Sequence, residues 1–135
     1  MYILDTCTVS DYVKVYSERL NTTLMKHEPG HIFLSAITIE EIEFGFHKNA
    51  PAKKKLGERV QLFLETITSS NILPVDATVA KLAGKIRANL QNNGQIIEPY
   101  DILIAATALA NDKILVTSNT KHFTPIPYLS LENWR

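Results

Sequence analysis

The feature that most constrains this chain is a nearly continuous apolar stretch between Pro99 and Ala110. After Asp101, the only polar side chain in that stretch is Thr107. A helix that is apolar on all its faces must lie inside a protein, so the rest of the chain must cover it. Pro99 favours the first turn, where its missing N–H costs nothing. Asp101 then falls in or beside that turn, where it either only caps the helix or belongs to a site at its mouth.

Composition sets the broad class of protein. The chain has 135 residues, of which 45% are hydrophobic, and we expect residues 1–135 to form one compact domain. Its formal net charge is zero, whereas non-specific nucleic-acid binders usually show a basic excess. Cys7 is the only cysteine, which excludes an internal disulfide and favours a cytosolic location. We expect no signal peptide and no membrane span, since no run approaches about 18 apolar residues.

Five short apolar segments have the length and composition of strands buried in a sheet. They are Tyr2–Leu4, Ile32–Leu34, Ile72–Val75, Ile114–Val116 and, near the end of the chain, Tyr128–Leu131. The segments between them predict helices over about 9–24, from Thr38 to a stop at 49–51, over 52–68, from Asp76 or Thr78 to a stop at 92–94, and over 100–110. Strands that alternate with helices predict an α/β fold with a parallel sheet covered by helices on both faces.

Polar residues fall where such a sheet binds ligands, at the carboxyl ends of its strands. Asp5 follows the first strand, Asn119 follows the fourth, and Asp101 lies at the start of a helix that should begin at the same edge of the sheet. We call this carboxyl edge of the sheet the rim. Glu41 allows two interpretations. It either completes a Thr-x-x-Glu capping box with Thr38, or it points across the rim toward the other two acids.

Three carboxylates beside an amide would form a hard-oxygen site for Mg²⁺ or Mn²⁺. A divalent cation would offset the repulsion between the clustered anions. An ion held by few protein ligands keeps several waters, and one of these can attack a phosphate. Such a site suits phosphodiester hydrolysis. In this hypothesis Asp5 and Asp101 are the principal ligands, and Glu41 is a ligand or positions the attacking water.

The chain resembles the PIN-domain family, in particular its VapC toxin type. The matching segments, in chain order, are Ile3–Thr6, Ser35–Thr38 with Glu41–Gly45, Ile86–Ala88, Asp101–Ala106, Leu115–Thr120 with Phe123, and Leu131–Trp134. The resemblance spans essentially the whole chain. It implies a small α/β/α sandwich and a metal-dependent endoribonuclease that cuts structured RNA, often transfer or ribosomal RNA. It also implies a cognate antitoxin that inserts into or beside the site, and a homodimer.

Carried over by position, the family's acidic site falls on Asp5, Glu41 and Asp101. A fourth position, acidic in many relatives, falls on Asn119, which adds no charge and leaves the number of bound metals open. Position 7 is often Asn in the family. Here it is Cys7, which we expect to be a small buried apolar residue.

Four further residues allow a structural or a functional interpretation. Thr6 and Thr117 either only satisfy backbone groups at strand ends and helix starts, or bond a carboxylate, a water or a phosphate. Arg87 is either a plain surface charge or a contact for a phosphate or an antitoxin carboxylate. His122 follows the Asn119 loop, where it either lies at the surface or contacts substrate, and we do not expect it to act as a base.

Two other functions remain open from the sequence. The chain could retain the fold as a catalytically weak or inactive protein-binding module, which the replacement at Asn119 would suit. It could also be a phosphatase or receiver-like domain, but Lys121 fits poorly the lysine that such a site requires at a later strand end.

Overall fold

The sheet is parallel, as the sequence predicts. The computed structural model describes residues 1–48 and 54–135. Within them the strands are β1 (Tyr2–Leu4), β2 (Ile32–Ser35), β3 (Ile72–Leu73), β4 (Ile114–Val116) and β5 (Leu131–Glu132). Their order across the sheet is β3-β2-β1-β4-β5, and every neighbouring pair is parallel.

Two strands are shorter than the apolar segments that predict them. β3 stops at Leu73, ahead of Pro74, because proline has no N–H to donate to a neighbouring strand. β5 begins only at Leu131, whereas the sequence suggests a start at Tyr128. Tyr128 has a φ of 67° and is 96% exposed, so its backbone turns away from the extended conformation of a strand.

The helices of the described residues cover both faces of this sheet. They are α1 (Thr6–Val13), α2 (Glu18–Met25), α3 (Ala36–Lys48), α4 (Lys54–Glu65), α5 (Ala77–Asn92), α6 (Pro99–Ala110) and α7 (Thr120–Phe123). The predicted helix stop at 49–51 and the predicted start of the next helix at 52 lie outside the described residues. No helix of the described ranges is long and apolar enough to cross a membrane.

The single helix predicted over 9–24 is wrong, because the chain forms two helices there. α1 ends at Val13 and α2 begins at Glu18. Between them Val15 has a φ of 53°, which is unusual for a β-branched residue and interrupts the helix. The Ser17 side chain then accepts a hydrogen bond from the N–H of Leu20 and starts α2 as its N-cap.

The core lies in two layers, one on each face of the sheet. Ile3 and Leu115 belong to the layer beneath α5 and α6, whereas Leu4 and Val116 belong to the layer beneath α1 and α2. This division follows from strand geometry, since successive side chains point to opposite faces. The predicted burial of the apolar helix is confirmed, because six α6 residues from Ile102 to Ala108 are buried.

Candidate active site

The candidate site lies where the central strands end. Leu4 of β1 is in register with Leu34 of β2 and with Val116 of β4. The next residues along the chain, Asp5 and Thr117 among them, therefore emerge at one edge of the sheet. The backbone N–H of Asp5 donates to the carbonyl of Val116 at 3.1 Å, which fixes Asp5 beside the end of β4.

Asp5 is a buried carboxylate that also begins a helix. It is 7% exposed and is the N-cap of α1, where its side chain accepts a hydrogen bond from the N–H of Thr8 at 2.8 Å. Burial raises the pKa of Asp5, and the nearby charge of Asp101 raises it further. Hydrogen bonds from Thr117 and Thr8 oppose this rise only in part. Folding therefore places Asp5 where its negative charge is unfavourable without a compensating positive charge.

Glu41 points toward the rim, and the capping-box interpretation is wrong. α3 begins at Ala36, after the Ser35 hydroxyl has accepted a hydrogen bond from the N–H of Ile37. Thr38 thus lies inside the helix, fully buried, and does not cap it. Glu41 instead accepts a hydrogen bond of 2.7 Å from the Thr6 hydroxyl on α1.

The electrostatic surroundings of Glu41 resemble those of Asp5. Partial burial raises the pKa of Glu41, and the hydrogen bond from Thr6 lowers it. The charges of Asp101, Glu40 and Asp5 add to the rise. Glu41 therefore lies within electrostatic range of both other predicted site acids.

Asp101 lies in the first turn of α6 and contacts a residue that the sequence did not single out as its partner. Its Oδ2 is 3.0 Å from Nε2 of His122 on α7. The N-cap of α6 is Glu98, so Asp101 is not merely the capping residue of its helix. The only signal in the sequence for this contact is the place of His122, three residues after Asn119 on the same rim.

The three carboxylates lie near one another but do not form a preformed metal-coordination site. In residues 1–48 and 54–135, no group of three His, Cys, Asp or Glu side chains is arranged to hold a metal ion. Each acid has another partner: Thr8 for Asp5, Thr6 for Glu41 and His122 for Asp101. Neither Asp5 nor Glu41 forms an ion pair with a basic side chain in those ranges. Oxygen ligands with uncompensated charge suit a hard divalent cation, so the donor set fits Mg²⁺ or Mn²⁺.

The two predicted threonines both contact the acids. Thr6 bonds Glu41, and Thr117 donates to Asp5 while it accepts a hydrogen bond of 3.0 Å from the N–H of Asn119. Thr6 therefore bonds a carboxylate and Thr117 also serves a backbone group, whereas a role of either hydroxyl in catalysis or substrate contact stays a prediction.

The remaining predicted residues have mixed outcomes. Asn119 is exposed at the rim and directly precedes α7, but its side chain makes no capping hydrogen bond. Arg87 is exposed on α5, and its role in the site stays a prediction. The expectation that Cys7 is buried is wrong, because this residue is exposed in the first turn of α1. Partial burial of the thiol, together with the surrounding carboxylates, raises the pKa of Cys7.

The parallel α/β sheet with acidic residues at its carboxyl edge matches the fold and site that the resemblance implies, and comparison with known families gives the same result. A family model described as the PIN domain matches residues 2–125. The chain therefore belongs to the PIN domain family, as the resemblance implies.

Several individual relatives to which the chain is similar are VapC proteins. The chain is 35% identical to Ribonuclease VapC2 of Rickettsia felis over 103 residues, which are 76% of this chain and 74% of the relative. It is 31% identical to the tRNA(fMet)-specific endonuclease VapC of Shigella flexneri over 105 residues, which are 78% and 76% of the two chains. The crystal structure of VapBC2 from Rickettsia felis bound to a promoter DNA fragment superposes with a TM-score of 0.86, at 30% identity over 99% of this chain and 98% of that one.

Proposed function

We propose that this protein is a metal-dependent endoribonuclease that acts as the toxin of a toxin–antitoxin pair. The observation that supports this most directly is that Asp5, Glu41 and Asp101 lie together at the carboxyl edge of the sheet, where the charge of Asp101 raises the pKa values of both Asp5 and Glu41. The family relationship and the ribonuclease names of two relatives agree with the proposal.

Each rim residue has a role in this proposal. Asp5 and Asp101 would hold Mg²⁺ or Mn²⁺, and Glu41 would either complete the ligand set or position the attacking water. When bound, the ion would lower the pKa of a water and offset charge on the phosphate. Thr6 and Thr117 orient the carboxylates that they contact. Asn119 supplies an amide oxygen without charge, so we expect a second ion to bind more weakly than beside a fourth acid.

The proposed partners follow from the relatives. The solved structure from Rickettsia felis is a VapBC complex, and we propose that a cognate antitoxin binds this chain as well. One relative is named for its action on tRNA(fMet), so transfer RNA is the first substrate to test, with ribosomal RNA next. The homodimer and the cytosolic location stay predictions.

The decisive experiment measures RNA cleavage with Mn²⁺ by the wild type, Asp5→Asn and Asp101→Asn. We expect each variant to lose about 100-fold or more in activity, because each loses a charged ligand. Asp76→Asn is a matched control. Asp76 is the N-cap of α5 and accepts from the N–H of Val79 at 2.9 Å, just as Asp5 caps α1, yet it lies outside the site.

One arrangement favours the second candidate, a binding module without catalysis. Asp101 is engaged by His122, and Asn119 replaces a fourth acid. If the wild type and both site variants are equally inert on transfer and ribosomal RNA with Mn²⁺, the binding module is the correct assignment.

A further inference from the structure

A pocket opens beside the acidic rim, between α1, α3 and α4. One face of each helix lines it, at positions three or four residues apart. The pocket shares Thr6 and Glu41 with the candidate site, and its apolar wall consists of Val9, Ile42, Phe46, Leu56 and Val60. Its volume is about 240 Å³, below the range of roughly 300–1,000 Å³ typical of small-molecule sites. A single ring system suits it better than a larger ligand.

The aromatic part of the wall depends on a glycine inside α4. A Cβ added at Gly57 would overlap the ring of Phe46, so only glycine lets this ring lie against the helix. Glycine in a helix interior is unfavourable by about 1 kcal/mol relative to alanine, which indicates a packing reason for its presence. The absence of a side chain at Gly57 thus leaves room for the Phe46 ring, which forms one side of the pocket.

Polar residues also line the pocket along α1, from Thr6 beside the rim to Lys14 just past the end of the helix. Thr6 and Ser10 line it: the Thr6 hydroxyl already donates to Glu41 and can only accept, whereas the Ser10 hydroxyl can donate or accept a hydrogen bond. Lys14 is the only basic residue among the described lining residues, and it is exposed. The pocket therefore combines apolar walls, an aromatic side chain, hydroxyls and one cation next to carboxylates that suit a metal ion.

We propose that this pocket binds one nucleobase of the RNA, adjacent to the cleaved phosphate, and that it sets the base preference of cleavage. This inference rests on the proposed ribonuclease function. Proteins that recognise single-stranded RNA place splayed bases against aromatic side chains and bond their edges with polar groups. A base in this pocket lies next to Glu41, and Lys14 is placed to meet a neighbouring phosphate. A protein segment from an antitoxin is the competing occupant, and the positive charge of Lys14 at the pocket favours RNA, which brings phosphates along its whole length.

The sharpest test fills the pocket without touching a carboxylate. Gly45 lines the pocket, and a Cβ built there meets no atom within 4 Å, so Gly45→Leu introduces a side chain without a backbone clash. Gly84→Leu is the matched control, since Gly84 is also a helical glycine with open space at its Cβ but lies on α5, away from the pocket. We expect Gly45→Leu to raise KM for RNA about tenfold or more and to alter the base found beside the mapped cut. Gly84→Leu should change neither.

A second pair of variants guards against misfolding of the first. Lys14→Met keeps the aliphatic length but removes the charge, and we expect it to raise KM about threefold or more. Lys85→Met, on the exposed face of α5, is its control and should leave KM unchanged. Circular dichroism melting curves of all four variants identify any loss of fold.

The outcomes separate this inference from the function on which it rests. If the wild type cuts no RNA, both fail. If the wild type cuts RNA, and folded Gly45→Leu and Lys14→Met keep its KM and base preference, the pocket inference alone is wrong. If Gly45→Leu cuts RNA normally but escapes inhibition by the cognate antitoxin, the pocket binds protein, and the nucleobase inference is likewise overturned.

Discussion

Asp5 combines a stabilising and a destabilising role in one side chain. Its oxygen caps α1 through Thr8, whereas its buried charge lies near Asp101 and Glu41. The cap needs only an acceptor atom, which asparagine supplies as well as aspartate. Charge and cap can therefore be separated by mutation.

We predict that Asp5→Asn lowers RNA cleavage about 100-fold or more but stabilises the metal-free protein at pH 7. The pKa of Asp5 is higher in the folded state than its ordinary value of 3.8, so folding favours the protonated form. Wild-type stability should thus fall as pH rises through the folded-state pKa, and the variant should lack this component. Urea unfolding between pH 4 and pH 8 measures the difference. Asp5→Ala, which also loses the cap, should be less stable than Asp5→Asn by about 1 kcal/mol. If Asp5→Asn and Asp5→Ala are both less stable than the wild type, the carboxylate itself stabilises the fold.

His122 contacts Asp101 from a different helix, across 21 positions of sequence. Residues that hydrogen-bond a metal ligand typically change metal affinity about 10–100-fold when mutated. We predict that His122→Ala weakens Mn²⁺ binding about tenfold or more, measured by titration calorimetry, and that His122→Gln, which keeps a donor, restores part of the affinity.

The chain provides a control for this prediction in a second histidine–carboxylate pair. His47 lies 3.3 Å from Glu43 on the exposed face of α3. His47→Ala breaks a contact of the same type away from the site and should leave Mn²⁺ affinity unchanged. Equal affinities for wild type and His122→Ala would mean that the contact has no influence on the metal site.

At the scale of elements, α6 positions Asp101 because it is clamped between the sheet and α5. Ala105, Ala106 and Ala108 are fully buried there, which lets the neighbouring backbones approach closely. Close-packed residues on the buried face of a helix leave no room for a larger side chain.

We therefore predict that Ala106→Leu destabilises the fold by about 1–3 kcal/mol, measured by chemical denaturation, because it overpacks a closed core. Ala110→Leu makes the same change at the exposed end of the same helix, and its effect should stay within about 0.5 kcal/mol. A similar loss of stability at the two positions would mean that the substitution acts through helix propensity rather than through packing in the core.

At the scale of the whole molecule, the proposed function implies that metal binding at the acidic rim is coupled to folding. A ligand that binds only the folded state stabilises it by mass action, by about 2.7 kcal/mol at a free concentration one hundred times its Kd. We predict that Mn²⁺ raises the melting temperature of the wild type and of Asp76→Asn equally, whereas EDTA reverses the rise. Asp5→Asn and Asp101→Asn should show little or no shift. A rise of the same size in all four proteins would place the bound ion elsewhere.

The sequence by itself determined the parallel α/β fold and the edge of the sheet at which the predicted site residues lie. Alternating apolar strands and helices specify a parallel sheet, and the carboxyl ends of parallel strands share one edge. Asp5 and Asp101 could therefore be assigned to that edge from their positions after a strand and at the start of a helix. These inferences depend only on periodicity and chain direction, which are local properties of the sequence.

Tertiary structure alone decided which side chains touch. Thr6 bonds Glu41 across 35 positions of sequence, and His122 reaches Asp101 across 21. The pocket beside Glu41 likewise depends on how α1, α3 and α4 pack together. Such contacts arise from packing between segments distant in sequence, and no local pattern encodes them.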